Sequence, residues 1–95
     1  METQEKIQKA GDGYAQTREQ VIQVIELGRA AMKRALPRKD FGTMDTIYNK
    51  IEAVSMSWRG LHEIPRNLPQ DRVTRLVEIL FERMNDLMGA IEKVP

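Results

Sequence analysis

Across residues 73–91 the apolar side chains Val73, Val77, Leu80, Met84, Leu87 and Ile91 are spaced four, three, four, three, four. Alternating threes and fours put all of them on one stripe of an α-helix, whereas a strand would scatter them over both faces. Leu76, Phe81 and Met88 widen that stripe beyond the two positions per heptad of a coiled-coil seam. A helix with so broad an apolar face must be covered by further helices. That requirement commits the chain to helical packing.

Two more segments supply the cover. Val21, Val24, Ile25, Gly28, Met32, Ala35 and Leu36 recur at helical spacing and predict a helix over about 15–36. Its length, with Ala30 and Ala31 inside it, outweighs the strand preference of the β-branched pairs. Pro37 ends it, because the residue before proline is pushed out of α geometry. Gly28 lowers helix propensity by about 1 kcal/mol relative to alanine, which points to close approach by another helix. Met44, Ile47, Ile51, Val54, Trp58 and Leu61 predict a second helix over about 44–61. Thr43 stands where an N-cap belongs, Asp45 falls in the first turn, and Gly60 suits a C-cap unless residues 61–64 add another turn. Between them residues 37–42 form a short basic loop with Phe41 as its apolar anchor. Pro65-Arg66-Asn67-Leu68-Pro69 breaks the chain before the third helix, predicted over about 69–93.

The expected fold class is therefore all-α, a three-helix antiparallel bundle or hairpin arrangement. Residues 14–95 make a single helical domain, and the polar residues 1–13 make a flexible or weakly helical arm that orders, if at all, on a partner. At 95 residues the core is thin, yet Ile22, Ile79 and Phe81 lie off the main seams. We expect a second copy to complete the fold, as a homodimer.

Composition excludes several chemistries. There is no cysteine and one histidine, so disulfide scaffolds, thiolate or multi-histidine metal centres and cysteine nucleophiles are ruled out. No cofactor and no catalytic constellation is expected. No apolar run approaches the roughly 20 residues of a membrane span, and residues 1–5 lack the basic start and apolar stretch of a signal peptide. We expect a cytoplasmic protein without a membrane partner.

The net charge of +1 conceals a local excess: Arg29, Lys33, Arg34, Arg38 and Lys39 occur within eleven residues that contain no acid. Basic groups in a last helical turn complement its exposed carbonyls. The same cluster is also a candidate contact for an anion or a nucleic-acid backbone. A helix-turn-helix reading would use Arg72 and Arg75, but the break of residues 61–68 is long for that motif and the third helix is rich in Glu78, Glu82, Asp86 and Glu92. His62-Glu63 is a possible acid–base pair whose members, as helical neighbours, point about 100° apart. Glu78 and Glu82, four apart, share a helix face with no histidine nearby to complete a metal site.

Two resemblances accompany these readings. Trp58-Arg59-Gly60 resembles the Trp-x-Gly turn of a family of small two-helix secreted proteins, while Pro65 and Pro69 follow too soon for its second helix. We read Trp58 as a core anchor. A long first helix with two more in about this length is similar to the small all-helical chorismate mutases, with Thr74-Arg75-Leu76 at the start of the third helix. That resemblance implies an isomerase site with Arg29, Lys39 and Glu52 in binding roles; the polar donor such a site needs at position 88 is here Met88.

The preferred functional expectation is a small protein-interaction module, a regulator or adaptor that occludes or bridges a partner protein. Val77, Leu80, Phe81, Met84 and Met88 are the expected contact residues. Met32, Met44 and Met56 add the adaptable side chains such surfaces use. Nucleic-acid binding through the basic cluster is the alternative.

Overall fold

The computed structural model describes residues 12–64 and 67–95, and the described residues form three helices with no strand. They are α1 (Asp12–Ala35), α2 (Phe41–His62) and α3 (Gln70–Glu92). Most of the arm expected over residues 1–13 lies outside the described residues. Its last two, Asp12 and Gly13, open α1, which therefore begins earlier than the glycine-rich spacing suggested. Residues 65 and 66 of the proline-bounded break also lie outside the described part. No described helix is long and apolar enough to cross a membrane.

Each helix buries one heptad stripe. On α1 the buried positions are Thr17, Val21, Val24, Gly28, Ala31 and Ala35. On α2 they are Ile47, Ile51 and Val54, with Met44, Trp58 and Leu61 half-buried at the ends of the same stripe. On α3 they are Val77, Leu80, Met84, Leu87 and Ile91, and Val94 folds back over the end of the core. Every helix touches both others. Lys50 pairs with Asp86, and Arg83 Nη1 donates to Ser57 Oγ at 2.6 Å. Rising numbers on α2 thus meet falling numbers on α3, so these two helices are antiparallel. The short link from α1 to α2 makes that pair antiparallel as well, so the helices run up, down, up.

Gly28 explains how they come together. A Cβ placed there would lie 2.9 Å from Ile51 Cδ1, 3.0 Å from Ile51 Cγ1 and 3.5 Å from Leu87 Cδ1. Residue 28 is where side chains of α2 and α3 meet the backbone of α1. Below it, Ala31 and Ala35 keep α1 thin while the larger residues of α2 and α3 fill the core. Ala31, which sequence reasoning treated only as a helix former, is fully buried.

The α1–α2 link differs from expectation. Asp40, not Thr43, is the N-cap of α2. Asp40 Oδ1 accepts from the Thr43 backbone N–H at 3.3 Å, and Thr43 Oγ1 donates to Asp40 Oδ2 at 2.7 Å. Thr43 occupies the third helical position and closes the cap from inside. The helix consequently starts at Phe41, which is 62% exposed and anchors nothing, and Asp45 falls beyond the first turn. The turn before it is closed by Lys39 N–H donating to Leu36 C=O at 2.9 Å and Asp40 N–H to Ala35 C=O at 3.2 Å. Lys39 sits at φ 55°, the left-handed position that glycine usually fills after a helix. At the other end α2 runs through Gly60 to His62, and Glu63 is the C-cap. The His62 ring carries it on, donating from Nδ1 to Trp58 C=O at 2.9 Å and meeting the Trp58 ring edge-to-face at 4.6 Å.

Two expectations follow. Ala at Gly89, where an added Cβ meets nothing within 4 Å, should raise stability by about 1 kcal/mol. Gly28→Ala should lose about 1 kcal/mol, because overpacking costs ~1–3 kcal/mol against the same propensity gain. Chemical denaturation of the two variants compares the signs directly. The second concerns pH. The Thr43 hydroxyl and N–H, with Arg38 nearby, hold the Asp40 carboxyl below its ordinary range. A carboxylate whose pKa is lower folded than unfolded adds stability above the unfolded pKa and loses it as pH falls through the folded one. Asp40→Ala should therefore lower Tm at neutral pH, with the gap to the parent closing as Asp40 protonates.

Candidate partner-binding groove

Helix geometry decides which flanks of the buried stripes meet water. Turning from the stripe of α1 toward α3 brings up Gln20, Gln23 and Leu27. Turning from the stripe of α3 toward α1 brings up Phe81, Met88, Asn85 and Glu78. These flanks enclose an open groove of about 800 Å³ between α1 and α3. Its floor is apolar: Val24, Leu27, Phe81, Met84 and Met88. Its rim is amide and acid: Gln20, Gln23, Asn85, Glu78 and Glu82.

The contact residues expected from sequence divide here. Leu80 is fully buried, and Val77 and Met84 are buried at 8% and 6% exposure. Val77 and Leu80 do not line the groove, Met84 contributes a small part of its floor, and Phe81 and Met88 offer the larger exposed surface there. Those two are half-buried, pack on the core from one side and face the groove from the other. Leu27, 47% exposed, completes the open floor. Sequence reasoning passed over it because it lies off the α1 stripe, and its role depends on which helix stands beside it.

The acidic rim is organised by Arg75. Its guanidinium bonds Glu78 Oε2 at 3.2 Å and Glu82 Oε1 at 3.3 Å. The Glu78 hydrogen bond first, then the charge of Glu82, hold Arg75 still more firmly protonated than usual. All three groups are solvent-exposed enough that water screens the pairing. The two carboxylates are thus engaged by Arg75. Among the described residues no three acids or histidines gather into a metal site.

The basic cluster is exposed throughout. Among the described residues none of Arg29, Lys33, Arg34, Arg38 and Lys39 enters an ion pair. Arg29 and Lys33 stack one turn apart, Arg34 is turned about 100° from Lys33, and Arg38 and Lys39 belong to the turn. Five charges within eleven residues therefore point in several directions. Arg29, Lys39 and Glu52, the residues implied by the mutase resemblance, line neither this groove nor the polar one of about 730 Å³ between α2 and α3. His62 is occupied with Trp58.

The core and groove sets should separate on substitution. Leu80→Ala should cost about 2–5 kcal/mol through the cavity it leaves, whereas Leu27→Ser should stay within about 0.5 kcal/mol of the parent. Urea denaturation followed by circular dichroism distinguishes them. Comparison of the chain with known families, curated proteins and solved structures finds no match.

Proposed function

We propose that this chain is a protein-interaction module rather than an enzyme, a small regulator or adaptor that works as a homodimer and occludes or bridges a partner protein. The observation that carries the reading is the α1–α3 groove, whose apolar floor is bounded by Glu78 and Glu82. The occupant it suits is an amphipathic helix of the partner. Such a helix places anchors at i, i+3, i+4 and i+7 along a hydrophobic channel. Leu27, Phe81 and Met88 would receive those anchors. Lysine or arginine on the flank of the incoming helix would exchange with Arg75 on the two carboxylates, which sets orientation and association rate. Met88, without a branched carbon, adapts to anchors of different shape.

The alternative occupant is a nucleic-acid backbone on Arg29, Lys33, Arg34, Arg38 and Lys39. What favours it is their exposure outside any ion pair among the described residues; what weighs against it is their divergence around the helix end and the neighbouring Asp40, which the Thr43 hydrogen bonds and then Arg38 help to keep ionised.

A photo-crosslinking side chain at Leu27, compared with one at Met56 on the far side of α2, tests the choice in cells. The expected adduct at position 27 is one protein, joined through a segment of helical apolar period with basic flanks. Phe81→Asp should abolish it while leaving helicity near the parent's. Adducts identical to those at position 56, adducts to nucleic acid, or unchanged labelling in Phe81→Asp would reject the groove as the binding site.

A further inference from the structure

The largest concentration of exposed apolar side chains lies away from the groove. Ile22 and Leu36 on α1, and Phe41 and Tyr48 on α2, are 42%, 52%, 62% and 51% exposed. By the 100° step of the helix all four stand on the outer face of the α1–α2 pair, on the side away from α3. Half-buried Ile25, Met32 and Met44 lie in the furrow between them. Charge on this face is sorted by helix. Arg18, Arg29 and Lys33 stand on the α1 side, and Asp45 and Glu52 on the α2 side, with Arg59 the one base among the acids.

The contact of residue 28 with Ile51 sets the level of one helix against the other. At about 1.5 Å per residue, Arg29 and Glu52 lie within about 3 Å of the same level, and Lys33 and Asp45 within about 2 Å. Leu36 and Phe41 likewise stand within about 3 Å of one another in height. From Arg29 to Phe41 the face is therefore its own complement across the bundle. A two-fold axis running parallel to the helices lays α1 of one copy over α2 of the other. It sets Arg29 against Glu52, Lys33 against Asp45 and Leu36 against Phe41, each pair occurring twice, at the cost of one like-charge approach, Arg18 to Arg59, near the far end of the face. A two-fold axis across the helices would instead bring α1 over α1 and set basic crest on basic crest, which like-charge repulsion disfavours.

We infer that the outer α1–α2 face is the site where a second copy of this chain docks, through a two-fold axis parallel to the bundle. The inference rests on the reading that the chain pairs with itself, and adds the surface, the axis and the charge register. Isologous contact is the usual form of a homodimer. It leaves both α1–α3 grooves open on the outside of the pair, so one dimer bridges two partner helices.

Sedimentation equilibrium over a wide concentration range tests it, on the parent chain, Arg29→Glu, Glu52→Arg, the double variant and Phe81→Asp. The expected result is a species at twice the 11.0 kDa chain mass. Each single charge reversal should weaken association about tenfold, and the double variant should restore it to within about threefold, because the swapped charges meet again. Phe81→Asp should leave association unchanged. A parent that stays at chain mass at every concentration overturns the pairing itself. A dimer whose affinity ignores both single reversals, or responds to Phe81→Asp instead, keeps the pairing and overturns this face. Two weakened single variants with no recovery in the double overturn the charge register. Arg29 and Glu52 are both exposed, and circular dichroism of each variant confirms that the fold persists.

Discussion

Everything in the bundle is indexed to the place where α1 has no side chain. At Gly28 the missing side chain leaves room for Ile51 from the second helix and Leu87 from the third, which an added Cβ would meet at 2.9 and 3.5 Å. A helix interior tolerates glycine at a cost of about 1 kcal/mol, and the cost is offset by dispersion contacts that only close approach allows. The contact also acts as a register mark. It sets residue 28 level with 51 and 87, and hence every other pair of facing positions along three straight heptad stripes. Ala31 and Ala35 extend the thin part of α1 toward the α1–α2 turn.

The same register distributes the apolar residues that the core does not use. A bundle of this size has one buried stripe per helix, and side chains a third of a turn or more from it reach water. On α1 the leftover residues divide. Leu27 turns toward α3 and joins Phe81 and Met88 in the groove. Ile22 and Leu36 turn toward α2 and join Phe41 and Tyr48 on the outer face. One short helix thus presents three sides: the core, the apolar floor of the α1–α3 groove and half of the outer α1–α2 face. The two outer surfaces do not overlap, so the proposed self-pairing and the proposed partner binding are compatible with one another.

Much of this was legible in the residues and some was not, for specific reasons. The stripes on α2 and α3 could be read because Ile, Leu, Val and Met mark them without ambiguity. The stripe on α1 was partly concealed, since Ala31 scores as a good helix former whether or not it is buried, and Leu36 scores as core while standing 52% exposed. The start of α2 was misplaced by one turn because Asp40 and Thr43 are both good caps. What decides between them is the turn closed by Lys39 in its left-handed conformation, and lysine gives no sequence signal for that. Gly60 looked like a helix end, and the His62 ring on Trp58 carries the helix past it.

The sequence by itself determined that the chain is helical, where the helices lie to within a few residues, which stripe of α3 is buried, and that position 28 is a point of contact. Those properties depend on periodicity and on backbone chemistry along one segment. Tertiary structure alone decided which flank of each helix faces a neighbour and which faces water. That choice separates Leu80 from Phe81, makes Leu27 part of a groove, and sets the bases of α1 level with the acids of α2. It depends on the hand and level of packing between helices, and these follow from side-chain volumes meeting at Gly28 rather than from any pattern within one helix.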